Sequence, residues 1–267
     1  MGGYSSRNYW HDVGRTLLQR PDDDESTIAS DDTPYYRLKQ SRFFEEFLDP
    51  ATAGAARILE VGQGPGGNLA RLAARSKLAV GVDVSPSMLE LARRRGLAHL
   101  VQMDGTSLPF QDQSYDAVFT STVLQHNRPE IAEQLLSEIA RVSASAVHFF
   151  EDTAAFNVRS RESHWLRKPA WYITRMQKHG FALQYCKRLP LCCQEVAAQV
   201  ARMLVDSHED QGAPPSSARL RIEAGFQKLA RPVDRLVPPA LGLTRMSFAR
   251  LQDTKARVAR EATPPQD

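Results

Sequence analysis

Between residues 57 and 152 the chain alternates short apolar runs with stretches of helical periodicity. That alternation predicts an α/β fold, a mostly parallel, doubly wound sheet covered by helices on both faces. Two further observations support it. A glycine-rich loop, "GQGPGG" (62–67), directly follows the first apolar run, and two alternating stretches near the end (181–189 and 243–252) read as an antiparallel pair.

The elements follow in order. Residues 1–34 are polar, with aromatic exceptions at Tyr4, Tyr9 and Trp10; Phe43, Phe44, Phe47 and Leu48 then recur at helical spacing and predict a helix over 35–48. After the linker "ATAGAA", "RILEVG" (57–62) is a buried strand, and 66–76 is a helix with Leu69, Leu72 and Ala73 on one face. Strand 78–83 leads to a well-punctuated helix over 85–96. Ser85 caps it, Pro86 suits its first turn, Arg93, Arg94 and Arg95 suit its negative end, and Gly96 stops it. Strands at 100–104, 115–121 and 145–152 and an amphipathic helix at 128–142 complete the alternation. Beyond 152 come a helix (169–180), a strand (181–189), helices over 192–206 and 219–237, and a last strand (243–252). No linker divides the chain into independent domains.

Composition excludes several classes. The 267 residues are 42% hydrophobic, enough for one large core, and the formal net charge of +3 is too mild to predict a nucleic-acid partner. The charge is uneven, with an acidic stretch at 21–32 and an Arg-rich, acid-poor region over 216–260. Cys186, Cys192 and Cys193 form neither a disulfide framework nor a metal-binding pair, so no metal is expected. No apolar run has membrane-spanning length and no signal core opens the chain; a cytoplasmic protein without a membrane partner is the expectation.

The glycine loop parses in two ways. Gly62-x-Gly64-x-x-Gly67 fits a dinucleotide pattern, whereas Glu60-x-Gly62-x-Gly64-x-Gly66 fits a cradle for S-adenosylmethionine. In an open parallel sheet the loop sits at the carboxyl end of the first strand, where ligands bind. Glu60 at that strand end suits a cationic ligand and opposes a pyrophosphate. Asp83, ending the second strand, suits the two hydroxyls of a ribose, and Asp104, ending the third, suits an adenine amino group.

With "ILEVGQGPGG" (58–67), "VGVDVSPSMLELAR" (80–93), "VQMDGTSLPFQDQSYDAVFTSTVLQH" (101–126) and "LTRMSF" (243–248) in order, the sequence resembles the class I S-adenosylmethionine-dependent methyltransferases of the small-molecule, ubiquinone-biosynthesis-like group. The resemblance implies a seven-stranded sheet of order 3-2-1-4-5-7-6 with an antiparallel last strand. It implies an N-terminal helical lid segment (1–50), a methyltransferase domain (51–252) with a helical insertion over about 190–241, and a disordered tail (253–267). It assigns Glu60, Gly62, Gln63 and Gly64 to the methionine half of the cofactor, Asp83 to the ribose, Val84 and Met88 to the adenine face, and Asp104 with Gly105 to the adenine edge. Thr120 and Ser121 fall under the sulfonium. His126 is the candidate general base, and Tyr36, Arg37, Glu151 and Asp152 are candidates at the acceptor. The expected acceptor is a small molecule methylated at O or N; the insertion is a candidate for substrate selection or a homodimer face. RNA or protein methylation, an NAD-dependent oxidoreductase and a non-catalytic binding module are the competing readings.

Overall fold

The computed structural model describes residues 5–19, 33–76, 78–103, 106–161, 164–205, 215–234, 236 and 242–251; for 158–161 it describes the backbone alone. The expectations for Asp104, Gly105, the acidic stretch at 21–32 and the tail at 253–267 lie outside the described residues.

Helix α1 (Ser6–Leu18) and α2 (Pro34–Arg42) precede the sheet; α2 runs through a π-helical turn (Phe43–Leu48) into α3 (Asp49–Thr52). Then follow β1 (Arg57–Val61), α4 (Gly67–Ala73), β2 (Leu78–Asp83), α5 (Pro86–Arg94), β3 (Leu100–Gln102), β4 (Tyr115–Ser121), α6 (Pro129–Val142) and β5 (Ser143–Thr153). A small hairpin, β6 (Val158–Arg161) and β7 (His164–Leu166), leads to α7 (Pro169–Lys178), β8 (Phe181–Arg188), α8 (Cys192–Val205), α9 (Ser217–Val233) and β9 (Gly242–Arg250). The main sheet has the order β3-β2-β1-β4-β5-β9-β8, parallel as far as β5 and antiparallel for β9 and β8. Numbering only its own strands, this is the 3-2-1-4-5-7-6 order that the resemblance implies.

Alternation along the strands builds two cores. Leu59, Val80, Val82, Val118 and Phe149 face α6 and α7, while Ile58, Phe119 and Phe150 face the other side. There Phe150 receives Phe43 edge-on at 5.1 Å and Phe47 stacked at 6.2 Å. The wider π turn lets Phe43, Phe47 and Leu48 all reach that core.

Helix α1 is an addition to the sequence-derived elements. Its apolar stripe is narrow, Val13 and Leu17 against Met88 of α5. Gly14 permits the close approach, since a Cβ there would lie 2.6 Å from the Ser87 Cβ. Thr33 caps α2, accepting from the Tyr36 N–H at 3.4 Å, and Glu223 of α9 accepts from the Tyr35 N–H at 2.9 Å. The helices between β8 and β9 are therefore tied to the N-terminal helices. They run antiparallel, because the carboxylate of Asp234, just past α9, accepts from the Cys193 and Gln194 N–H groups at the start of α8 (2.6 and 3.1 Å).

Candidate functional site

The loop after β1 is pinned to the end of β2, with the Gly62 and Gln63 N–H groups both donating to the Val82 carbonyl (2.7 and 3.2 Å). Gly62 has φ +75°, and a Cβ on it would sit 2.4 Å from the Val123 Cγ2. Both the backbone hand and the close wall require glycine there. Gly66, at φ +86°, enters α4 and aims the helix N-terminus at the cavity side.

Two carboxylates flank this loop. Glu60 is 1% exposed; its Oε1 accepts from Asn68 Nδ2 at 2.8 Å, while its buried Oε2 has no hydrogen-bond partner. Burial pushes its pKa up to about 8, Asn68 working against the rise and Asp83 adding to it. Asp83 accepts from the Gly64 N–H (2.9 Å) and the Ser85 N–H (2.8 Å); burial raises its pKa above the ordinary carboxylate value despite both bonds. The Gln63 Oε1 is a second buried oxygen without a partner.

These groups open onto a cavity of about 250 Å³. Of the residues expected from the sequence, Glu60, Gly62, Gln63, Gly64, Asp83, Val84, Met88, Ser121 and Tyr36 line it. The structure does not bring Thr120, His126, Arg37, Glu151 or Asp152 to its lining. Thr120 donates to Glu151 at 2.7 Å and is wholly buried. His126 lies behind Trp10, which it meets edge-on at 5.1 Å, and stacks on His164 at 5.2 Å. Arg37 is exposed. Glu151, wholly buried, accepts from Thr120 and from the N–H groups of Val123, Leu124 and Gln125, each at 3.2 Å. It thereby shapes the 122–125 wall rather than facing the cavity, and burial pushes its pKa up to about 7. Asp152 pairs with Lys39 at 3.6 Å and accepts from Gln125 Nε2 at 3.4 Å.

Sequence reasoning missed Trp10, Lys39, Gln40 and Asn68, all of which line the cavity. A signal existed: Tyr36, Lys39, Gln40 and Phe43 recur at i, i+3, i+4 and i+7, one helix face, and Arg37 is off it. Burial opposes the charge on Lys39, but Asp152, Tyr35 and Glu195 more than offset it, so the ammonium keeps its proton. Thr122, also in the lining, holds φ +56°, a strained conformation for a β-branched residue, fixed by its N–H donating to the Phe150 carbonyl at 2.8 Å. Among the described residues no cluster of His, Cys, Asp and Glu could hold a metal ion, and no helix is long and apolar enough to cross a membrane.

Residues 58–145, which include the glycine loop, β2 and β4, match the family model for a methyltransferase domain. This third of the chain is thus similar to a methyltransferase domain, and the sheet around it has the strand order that the sequence resemblance implies. The chain is 40% identical over 80 residues to a demethylmenaquinone methyltransferase of Clavibacter sepedonicus, covering 28% of this chain and 33% of that one. It is 36% identical over 95 residues to the biotin biosynthesis bifunctional protein BioHC of Cellvibrio japonicus, covering 35% and 18%. The chain thus spans a third or less of the length of these two relatives. The crystal structure of the [4+2]-cyclase SpnF superposes with a TM-score of 0.63 at 17% identity, covering 94% of this chain and 98% of that one, a likeness of fold.

Proposed function

We propose that the chain transfers a methyl group from S-adenosylmethionine to an O or N of a small-molecule acceptor. The carrying observation is Glu60, a buried carboxylate with one oxygen unpartnered, lining a cavity beside a glycine loop and a helix N-terminus. A buried acid left incomplete in this way selects a cationic group, which S-adenosylmethionine has and a pyrophosphate lacks. The match to a demethylmenaquinone methyltransferase supports a small-molecule acceptor.

On this reading Glu60, with Asn68 behind it, holds the cofactor ammonium, and Gly62, Gln63 and Gly64 follow the methionine half. Asp83 holds the ribose, Val84 and Met88 lie on the adenine, and Asp104 and Gly105 take its edge. Lys39, which lines the cavity, is the cation for the cofactor carboxylate. When bound, the cofactor supplies a methyl carbon activated by its sulfonium. The chain's own residues align the acceptor and exclude water. Ser121 and Thr122 form the floor; α1, α2 and the π-helical turn that follows, within the proposed 1–50 lid, bring Trp10, Tyr36 and Phe43 over the opening. Glu151 acts by shaping the wall, and His126 by bracing Trp10.

The test is calorimetric titration with S-adenosylhomocysteine across pH. Below about pH 8 Glu60 holds a proton that an ammonium ligand must displace. Affinity is therefore expected to rise about tenfold per pH unit towards that value, with proton release visible in buffers of different ionisation heat. Glu60→Gln is expected to remove this slope. Tight NADH binding in place of S-adenosylhomocysteine, or a slope that survives in Glu60→Gln, would overturn the assignment.

A further inference from the structure

Helices α8 and α9 expose apolar side chains that the fold leaves uncovered. On α8, Val196, Val200, Met203 and Leu204 recur at i, i+4, i+7 and i+8, opposite the buried Gln194, Ala198 and Ala201; Met203 is 78% exposed. On α9, Ile222, Leu229 and Val233 recur at i, i+7 and i+11, and Leu236 extends the line; Leu229 is 73% exposed and Leu236 84%. Two such stripes on neighbouring antiparallel helices exceed the scattered exposure expected of a surface.

The charges distinguish the possible occupants. Arg221 and Lys228 of α9 are exposed and flank the stripe, each adjoining one of its residues, whereas Arg231, two positions from Leu229 and from Val233, lies on the far side of the helix. Among the described residues of the same hairpin the acids are turned inward. Glu223 is buried on the Tyr35 N–H, Asp234 is buried on the start of α8, and Glu195 is part-buried against Asp152, Lys39 and Tyr35. Among the described residues of the two helices no acid is exposed. A second copy of the chain on this face would set cations against cations, whereas an anionic surface would meet both the cations and the apolar stripes.

We propose that the α8–α9 hairpin docks on an anionic lipid surface. Val200, Met203, Leu204, Leu229 and Val233 enter the boundary between headgroups and acyl chains, and Arg221 and Lys228 at the edge of the stripe meet lipid phosphates. This is docking on a membrane, not crossing one. It departs from the sequence-based expectation of no membrane partner, and it stands independently of the methyl-transfer reading. Its consequence for the site is positional: α9 holds the start of α2 through Glu223, and α2 walls the cavity, so the docked face is one helix from the lid.

The test is co-sedimentation of the full chain with vesicles of equal parts phosphatidylglycerol and phosphatidylcholine, against phosphatidylcholine alone. The chain is expected to sediment with the anionic vesicles, less so as salt rises. R221Q/K228Q is expected to weaken this binding about thirtyfold, and M203E/L229E to abolish it, with S-adenosylhomocysteine affinity and circular dichroism unchanged in both. The charge variant alters exposed groups only and carries the test if the apolar variant does not fold. A wild-type chain that stays in the supernatant with anionic vesicles would overturn the proposal. So would a dimer in light scattering that M203E/L229E converts to monomer, which would give the face to a second copy.

Discussion

Asp83→Ala is expected to reduce S-adenosylhomocysteine affinity by at least about a hundredfold, since two hydrogen bonds from ribose hydroxyls to a carboxylate are together worth several kcal/mol. The carboxylate also builds the site. It receives the Gly64 and Ser85 N–H groups, so it joins the glycine loop to the start of α5. Alanine removes the ligand's partner and both anchors together. Asp83→Asn separates these roles. Its amide oxygen can still serve one backbone N–H, but its NH₂ cannot accept from the other, so an intermediate loss is expected. Calorimetry measures the affinities, and urea unfolding of the same variants measures how much of the loss is loosened structure. An Asp83→Ala protein that binds as tightly as wild type would refute the proposed placement of the ribose.

The sheet was legible because its strands are apolar runs closed by punctuation, and Glu60 and Asp83 stood out as acids ending two of them. The lid face was harder to read. Tyr36, Lys39, Gln40 and Phe43 mix polar and apolar types, as a wall facing a polar ligand must, and such a face does not stand out as a hydrophobic stripe. Arg37 is a candidate at the acceptor by resemblance alone, and helical geometry turns it to solvent. Glu151 falls inside the strand that the sequence predicts over 145–152, and β5 runs one residue further, to Thr153, with Glu151 opposite Thr244. Hidden in the sequence is the environment of the side chain, which the fold closes over with Thr120 and the 123–125 backbone, groups some thirty positions away that leave no local trace. Helix α1 and the β6–β7 hairpin escaped for a related reason: one is polar apart from a narrow stripe, and the other spans residues without clear alternation.

Glu151 provides the largest expected effect on stability. Glu151→Leu leaves the Thr120 hydroxyl and three backbone N–H groups without an acceptor. Buried donors stranded in this way are expected to cost about 3–5 kcal/mol, read as a fall in the urea midpoint. Glu151→Gln keeps the shape and one carbonyl oxygen, and its effect depends on pH. The folded protein holds the Glu151 proton up to about pH 7, whereas the unfolded chain releases it near the ordinary 4.5. Between these values the folded state binds more protons, so stability falls as pH rises. The wild-type contribution is complete below the lower value and is lost as pH passes the upper one, a change on the order of 3 kcal/mol. Glutamine carries no such proton. Relative to wild type, Glu151→Gln is therefore expected to be the weaker protein at about pH 5 and to recover or exceed wild-type stability at about pH 8. Glu60, whose pKa burial also raises, adds a slope of the same sign to both proteins, so it cancels in their difference. A difference between wild type and Glu151→Gln that stays constant across that range would mean that Glu151 is already ionised in the folded protein, with the 122–125 wall organised around a charge rather than a shared proton.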